Sequence, residues 1–177
     1  MRKLQPNNPP DGLGLPEDVK EKAEEIYMQA RAAKLSLGRD GRVVRAASVY
    51  AACRVLGYPI TLLEVAQLHD CPRGMVGRLY RILARELGLK PAPETPESYI
   101  MRNKRLLSRR VVEKTIKILR RCSSSLVGRK PSAVAAAAAY LASDRRLKPI
   151  WLGEVFSTTP VSVRVLSKQM EALLSGP

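Results

Sequence analysis

The stretch GRKPSAVAAAAAYLASDRR, Gly128 to Arg146, carries alanine at six of the seven positions 133–139. Such a run can be filler, a membrane-seeking segment, or a helix whose neighbours press in from every side. It is too short and too charge-flanked for a membrane span, which needs about 20 apolar residues. No apolar run of that length occurs elsewhere, and the opening MRKLQPNNPP has no apolar region of the kind a signal peptide requires. The expectation is a cytoplasmic protein with no membrane association.

A second copy of the pattern decides between the remaining readings. Shifted by 90, GRDGRVVRAASVYAACRVLGYPITLLEV (Gly38 to Val65) falls on GRKPSAVAAAAAYLASDRRLKPIWLGEV (Gly128 to Val155), with 12 of 28 positions identical. The matches include Gly38/Gly128, Arg39/Arg129, Tyr50/Tyr140 and a Pro-Ile-x-Leu-x-Glu-Val string, which alanine bias cannot produce. A period near 90 is too long for a solenoid and reads as a duplicated small domain. The alanine run is then the counterpart of VVRAASVYAAC, a helix enclosed by its neighbours.

The rest of the chain organises around these two helices. GLKPAPETPES (Gly88 to Ser98) has three prolines, which disfavour helix at and just before themselves. The expected organisation is an irregular arm over 1–12, a first repeat over 13–90, a linker over 91–96 and a second repeat over 97–177. In the first repeat, PEDVKEKAEEIYMQARAAK places Val19, Ala23, Ile26, Tyr27 and Ala30 on one helical face. Helices follow over Arg42 to Leu56, over Thr61 to Leu68 with a Thr61/Glu64 capping box, and over Pro72 to Leu87. In the second, helices are expected over Glu97 to Leu107, from Ser108 to Cys122, over the alanine run, over Ile150 to Phe156, and from Thr159 onward with Pro160 in the first turn. No strand pattern appears, so the fold class is all-α.

Charge points to a partner. The net charge is +15. Of this, +3 lies in residues 1–97 and +12 in residues 98–177. Such a surface favours a polyanion, most often nucleic acid. Catalysis and metal binding have little to stand on. Cys53, Cys71 and Cys122 form no CxxC pair, His69 stands alone as a turn residue, and no phosphate loop or nucleophile motif occurs. Cys53 and Cys122 read as small buried hydrophobes. No enzyme activity, no cofactor and no metal are expected.

Each repeat ends in a short helix, a turn and a longer helix, the order of a helix-turn-helix. In the last helix Val163, Leu166, Met170 and Leu173 fall on one side and should be core. Val161, Arg164, Val165 and Lys168 fall on the other. There Arg can reach guanine and Val a thymine methyl in a major groove. In the first repeat Val76, Leu79, Tyr80, Leu83 and Leu87 form the inner face. Arg78, Arg81 and Arg85 form an outer ridge suited to phosphates or an acidic protein surface. Measured from Glu154 to Ser167, the second pair is three residues shorter than the first from Glu64 to Tyr80. This predicts a shortened turn, with Ser167 in place of an aromatic. A reading without DNA also stands: a protein-interaction adaptor using the repeat-matched PITLL and PIWLG, where Ile60, Leu63, Ile150 and Trp151 are more apolar than a solvated turn requires. An RNA-binding role has no module motif to support it.

GRVVRAASVYAACRVLGYP, TLLEVAQL and VGRLYRILARELGLK, followed by GRKPSAVAAAAAYLAS and TPVSVRVL, resemble the core of the archaeal transcription factor B family, relatives of eukaryotic transcription initiation factor IIB. The resemblance runs from about Leu13 to Leu174. It implies two tandem cyclin-like five-helix repeats, each ending in a helix-turn-helix-like pair, monomeric when free. It also implies binding to the complex of TATA-box-binding protein with promoter DNA. The family's Val-Thr-Ile-Arg falls on Val161, Ser162, Val163 and Arg164, which makes Val161 and Arg164 base readers in a DNA-reading helix over about 160–174. Ser162, Val165, Lys168, Arg129 and Lys130 become further DNA contacts. Arg73, Arg78, Arg81 and Arg85 become contacts to TATA-box-binding protein or phosphates. Family members reach RNA polymerase through an N-terminal zinc ribbon and an adjoining segment that these residues do not contain. MRKLQPNNPPDG stands where the first repeat's first helix belongs and is too rich in Pro and Asn to form it.

Overall fold

A computed structural model describes residues 14–175, so the expected arm over 1–12 lies outside the described residues. Among the described residues all regular structure is helical. The chain gathers into two compact units, one up to Pro93 and one from Glu94. The first holds α1 (Glu17–Ala32), α2 (Gly41–Val55), α3 (Leu62–Leu68) and α4 (Arg73–Glu86). The second holds α5 (Pro96–Arg102), α6 (Arg109–Cys122), α7 (Pro131–Ala142), α8 (Pro149–Val155) and α9 (Pro160–Leu174).

Local chemistry sets most helix starts. Glu17 and Asp18 sit in the first turn of α1, where the helix dipole favours anions. Thr61 Oγ1 accepts from the Glu64 N–H at 3.2 Å while Glu64 Oε2 accepts from the Thr61 N–H at 2.8 Å, closing the capping box on α3. Proline occupies the first turn of α5, α7, α8 and α9, where its missing N–H costs nothing. The helix expected over Glu97 to Leu107 is interrupted. α5 stops at Arg102, and a single 3-10 turn spans Lys104–Leu106. At the end of α5 the Tyr99 carbonyl accepts from both the Asn103 backbone N–H at 3.3 Å and Asn103 Nδ2 at 3.0 Å.

α2 and α7 are the axes of their units. Nine of the 12 residues of α7 are buried, among them Ala135 to Ala139, each 0% exposed. α5, α6 and α9 all pack against it, as α1 and α4 pack against α2. Alanine is what lets several helix backbones approach one another so closely. The result is a core with few aromatics, in which Phe156 and Tyr99 are the large fillers of the second unit. Cys53 and Cys122 belong to the two cores. Tyr27 is only half buried, its ring faced by the Arg45 guanidinium at 4.3 Å.

The duplication holds at an offset of 90 up to the start of the central helices. α1 falls on α6 and α2 on α7, with Gly38 and Gly128 both left-handed ahead of the central helix (φ 67 and 82). Beyond that point the offset becomes 87. α7 stops at Ala142 because Asp144 and Arg145 are both left-handed (φ 52 and 62), so it is three residues shorter than α2. The identical Pro-Ile strings are therefore not equivalent in space. Pro59 and Ile60 precede α3 and Ile60 is 0% exposed, whereas Pro149 and Ile150 form the first turn of α8 and Ile150 is 61% exposed. Of the four apolar residues expected at the surface in PITLL and PIWLG, Ile60 is therefore core, Leu63 and Trp151 are half-buried and Ile150 is exposed.

Candidate nucleic-acid interface

The pairs α3–α4 and α8–α9 are each joined by four residues, 69–72 and 156–159. The two turns are built alike. His69 and Phe156 cap the short helices from inside (9% and 1% exposed), and Asp70 and Ser157 follow in the left-handed region (φ 49 and 48). The Cys71 N–H then returns to the Ala66 carbonyl at 3.0 Å, and the Thr158 N–H to the Gly153 carbonyl at 2.9 Å. The shortened second turn expected from residue counting is thus absent, and the missing residues lie in α7. His69, expected as an ordinary turn residue, is a core residue at the place of Phe156.

α9 presents the face on which sequence and structure converge. Val163, Leu166, Ser167 and Met170 are buried and Leu174 packs on the core. Leu173, expected inside, is 44% exposed. At 100° per residue it lies about 70° from the midline of Val163 and Met170, at the margin of the buried face, while Leu174 lies about 30° from that midline. Ser167 fills its position by donating to the Arg164 carbonyl at 2.9 Å. On the outer face Val161 and Val165 are 65% and 50% exposed, with Arg164 and Lys168 exposed beside them. All four lie within one arc of about 100°.

Four other residues bear on how α9 is held. Thr159 Oγ1 accepts from the Ser162 N–H at 3.1 Å, and the two hydroxyls lie 2.9 Å apart, so the Ser162 side chain helps to cap the helix. Lys130, at the start of α7, donates from Nζ to the Ser157 carbonyl at 2.6 Å and ties the central helix to the turn before α9. Gly153 in α8 lies so close under that turn that a Cβ would stand 2.9 Å from the Thr158 carbonyl oxygen. Neither the lysine tether nor the glycine contact was legible in the sequence. Both depend on a carbonyl whose position only the folded turn defines. Arg129 is exposed in the loop ahead of α7.

In the first unit Val76, Leu79 and Leu83 are buried in α4, with Tyr80 and Leu87 half-buried beside them. Arg73, Arg78, Arg81 and Arg85 are all exposed. Arg85 Nε donates to Glu86 at 2.8 Å, Arg78 and Arg81 share its outer ridge, and Arg73 is the first residue of the helix. Acidic groups near the second unit's basic surface are few. Lys114 donates to Asp144 at 2.6 Å and holds that carboxyl below the usual carboxylate range. Arg145 is paired with Glu171. Among the described residues no group of His, Cys, Asp or Glu could hold a metal ion, and no helix is long and apolar enough to cross a membrane.

Comparison with known proteins agrees with the duplicated fold. The family model described as Transcription factor TFIIB repeat matches twice, over residues 10–86 and 93–175. A transcription initiation factor IIB of Archaeoglobus fulgidus is 41% identical over 166 residues, covering 89% of this chain and 51% of that protein. A transcription initiation factor IIB of Methanosphaerula palustris is 38% identical over 166 residues, covering 89% and 49%. A transcription initiation factor IIB 2 of Thermoplasma acidophilum is 35% identical over 170 residues, covering 92% and 55%. The chain spans about half the length of the curated relatives it matches.

Proposed function

The chain belongs to the transcription initiation factor IIB family, and from that premise we propose that it is the core of a general transcription initiation factor. In this reading it binds the complex of TATA-box-binding protein with promoter DNA and reads sequence just upstream through α9. The observation that carries the reading is the outer face of α9. Val161 and Arg164 stand exposed one turn apart at the helix N-terminus, with Val165 and Lys168 on the next turn. A major groove admits a helix presented in this way. Arg164 has the fork to pair with guanine O6 and N7, and Val161 the methyl surface to meet thymine. Lys168 and Arg129 suit phosphates. In the first unit the arginines of α4 suit phosphates or the acidic surface of TATA-box-binding protein. Lys130 and Ser162 act indirectly, by fixing the turn and the cap that aim α9.

A gel shift with TATA-box-binding protein and promoter DNA tests this. A ternary complex at low salt is expected. Replacing Arg164 and Lys168 together with alanine should weaken it and relax preference for the upstream sequence, since each good base contact discriminates by about 1–3 kcal/mol. No ternary complex with the unaltered chain would overturn the reading. Unchanged DNA affinity in the double variant would favour the adaptor instead, although Ile60, one of the four apolar residues of that reading, lies in the core.

A further inference from the structure

The positive charge of the second unit is not concentrated on α9. Residues 98–127 hold nine Lys or Arg against the single acid Glu113. On α6 the residues Arg110, Lys114, Lys117 and Arg121 recur at i, i+4, i+7 and i+11. At 100° per residue these four fall within an arc of about 60°, a single ridge along the helix. Thr115, Ile118, Leu119 and Cys122, on the inner side, are buried against α7.

The fold does not require this charge. α1 occupies the same place in the first unit and packs on α2 as α6 packs on α7. There the helix carries five acids and three bases, Glu17, Asp18, Glu21, Glu24 and Glu25 against Lys20, Lys22 and Arg31. Two copies of one scaffold thus carry opposite charge on equivalent helices, and the basic ridge needs an explanation other than folding.

We propose that the α6 ridge is a second nucleic-acid surface, which binds the phosphate backbone of duplex DNA without reading sequence. The ridge from Arg110 to Arg121 is roughly 16 Å long at 1.5 Å per residue. Phosphates on one strand advance about 3.4 Å each along the axis, so the ridge faces about five of them. Its composition separates a phosphate backbone from an acidic protein. Protein interfaces have an apolar or aromatic centre and few lysines, whereas no large hydrophobic side chain of α6 is exposed among the described residues. Of the nearby acids, Glu171 pairs with Arg145 and Glu113 with Arg109 off the flank of the ridge, while Asp144 pairs with Lys114 within it, so the test below alters Arg110, Lys117 and Arg121. The choice of duplex DNA as the polyanion rests on the function proposed above, while the ridge itself does not.

The test is a salt titration of binding to a labelled duplex of arbitrary sequence, read by fluorescence anisotropy on the full chain. The Arg110→Ala, Lys117→Ala, Arg121→Ala triple variant should bind at least tenfold more weakly at low salt. The slope of log affinity against log salt should flatten by about 2 to 3, near 0.9 for each lost phosphate contact. Exchanging Arg and Lys at the same three positions should restore most of the slope, which a folding defect would not allow. A triple variant with wild-type affinity and slope overturns the proposal. So does a triple variant that loses polyglutamate binding but keeps the duplex, since the partner is then an acidic protein. The Arg164→Ala, Lys168→Ala variant runs alongside. If it leaves upstream preference intact while the α6 triple still flattens the slope, the reading of α9 fails and the ridge stands.

Discussion

Gly153→Ala separates two opposed effects at the turn that aims α9. Alanine is the better helix former by roughly 0.5–1 kcal/mol, so the substitution should stabilise an unstrained helix. Here the new Cβ would stand 2.9 Å from the Thr158 carbonyl oxygen and 3.4 Å from Pro160 Cδ. The oxygen is backbone in a four-residue turn pinned by the Thr158 N–H bond to Gly153 itself and by the Lys130 ammonium on Ser157, so it cannot step aside as a side chain would. Overpacking of this kind costs about 1–3 kcal/mol. The balance is a net loss of about 1 kcal/mol, which lowers the melting temperature of a unit this small by about 4–8 °C. Gly77→Ala in α4 is the internal control. Its Cβ would meet Leu62 Cδ2 at 2.8 Å, the movable end of a flexible side chain, so helix propensity should win and stability should hold or rise. Thermal unfolding followed by circular dichroism and calorimetry measures both. A Gly153→Ala protein more stable than the parent would refute the close approach. The same variant, if α9 shifts to relieve the contact, should lose upstream preference before it loses duplex affinity.

Two further predictions address the cores. Ala136→Leu or Ala137→Leu inserts a branched side chain where the parent residue is 0% exposed, and should destabilise the second unit by about 1–3 kcal/mol in denaturant melts; neutrality at both positions would mean that α7 is not enclosed. His69 is buried with Nε2 unpartnered, and burial with Arg45 nearby holds its pKa below the usual imidazole value. Its folded pKa is therefore lower than its unfolded one. As pH falls below about 6.5 the unfolded state takes up the proton first, and stability drops until the folded pKa is passed. His69→Phe, which installs the residue of the equivalent position 156, should lose less stability than the parent between pH 6.5 and 5. Parallel pH profiles would contradict this.

What could be read from the sequence was what local rules decide. The Thr61–Glu64 box, the proline opening α9, the buried faces of α1, α4 and α9 and the enclosed alanine helix all follow from spacing and residue type, whereas Pro96 and Pro149, expected outside helices, open α5 and α8. The errors arose where identity was taken for spatial equivalence. Pro59-Ile60 and Pro149-Ile150 match letter for letter, yet the left-handed Asp144 and Arg145 end α7 early and slide the second pair by three residues. Burial tracks the new offset: Val65 with Leu152, His69 with Phe156, Val76 with Val163, Leu83 with Met170. Periodicity alone left the break at Asn103 and the exposure of Leu173 open.

The same offset explains why only one of the two helix pairs is suited to reading bases. Position 161 on α9 falls on Gly74 of α4, and position 164 falls on Gly77. Gly77 is buried, with Leu62 of α3 lying where a side chain would project. At the equivalent place in the second unit Arg164 is exposed, and α8 offers Pro149 where α3 offers Leu62. The first pair thus has glycine at both positions from which a base-reading side chain would leave the helix, one of them covered by Leu62. It keeps Arg78 and Arg81, which fall on Val165 and Lys168 and can only follow a charged surface. Charge diverges in the same sense, with the acids of α1 against the bases of α6. On the proposed function, the first unit is restricted to partners recognised by charge, and sequence discrimination has a single route, through α9. Alanine at Gly74 or Gly77 should consequently hold or raise stability and leave upstream preference unchanged.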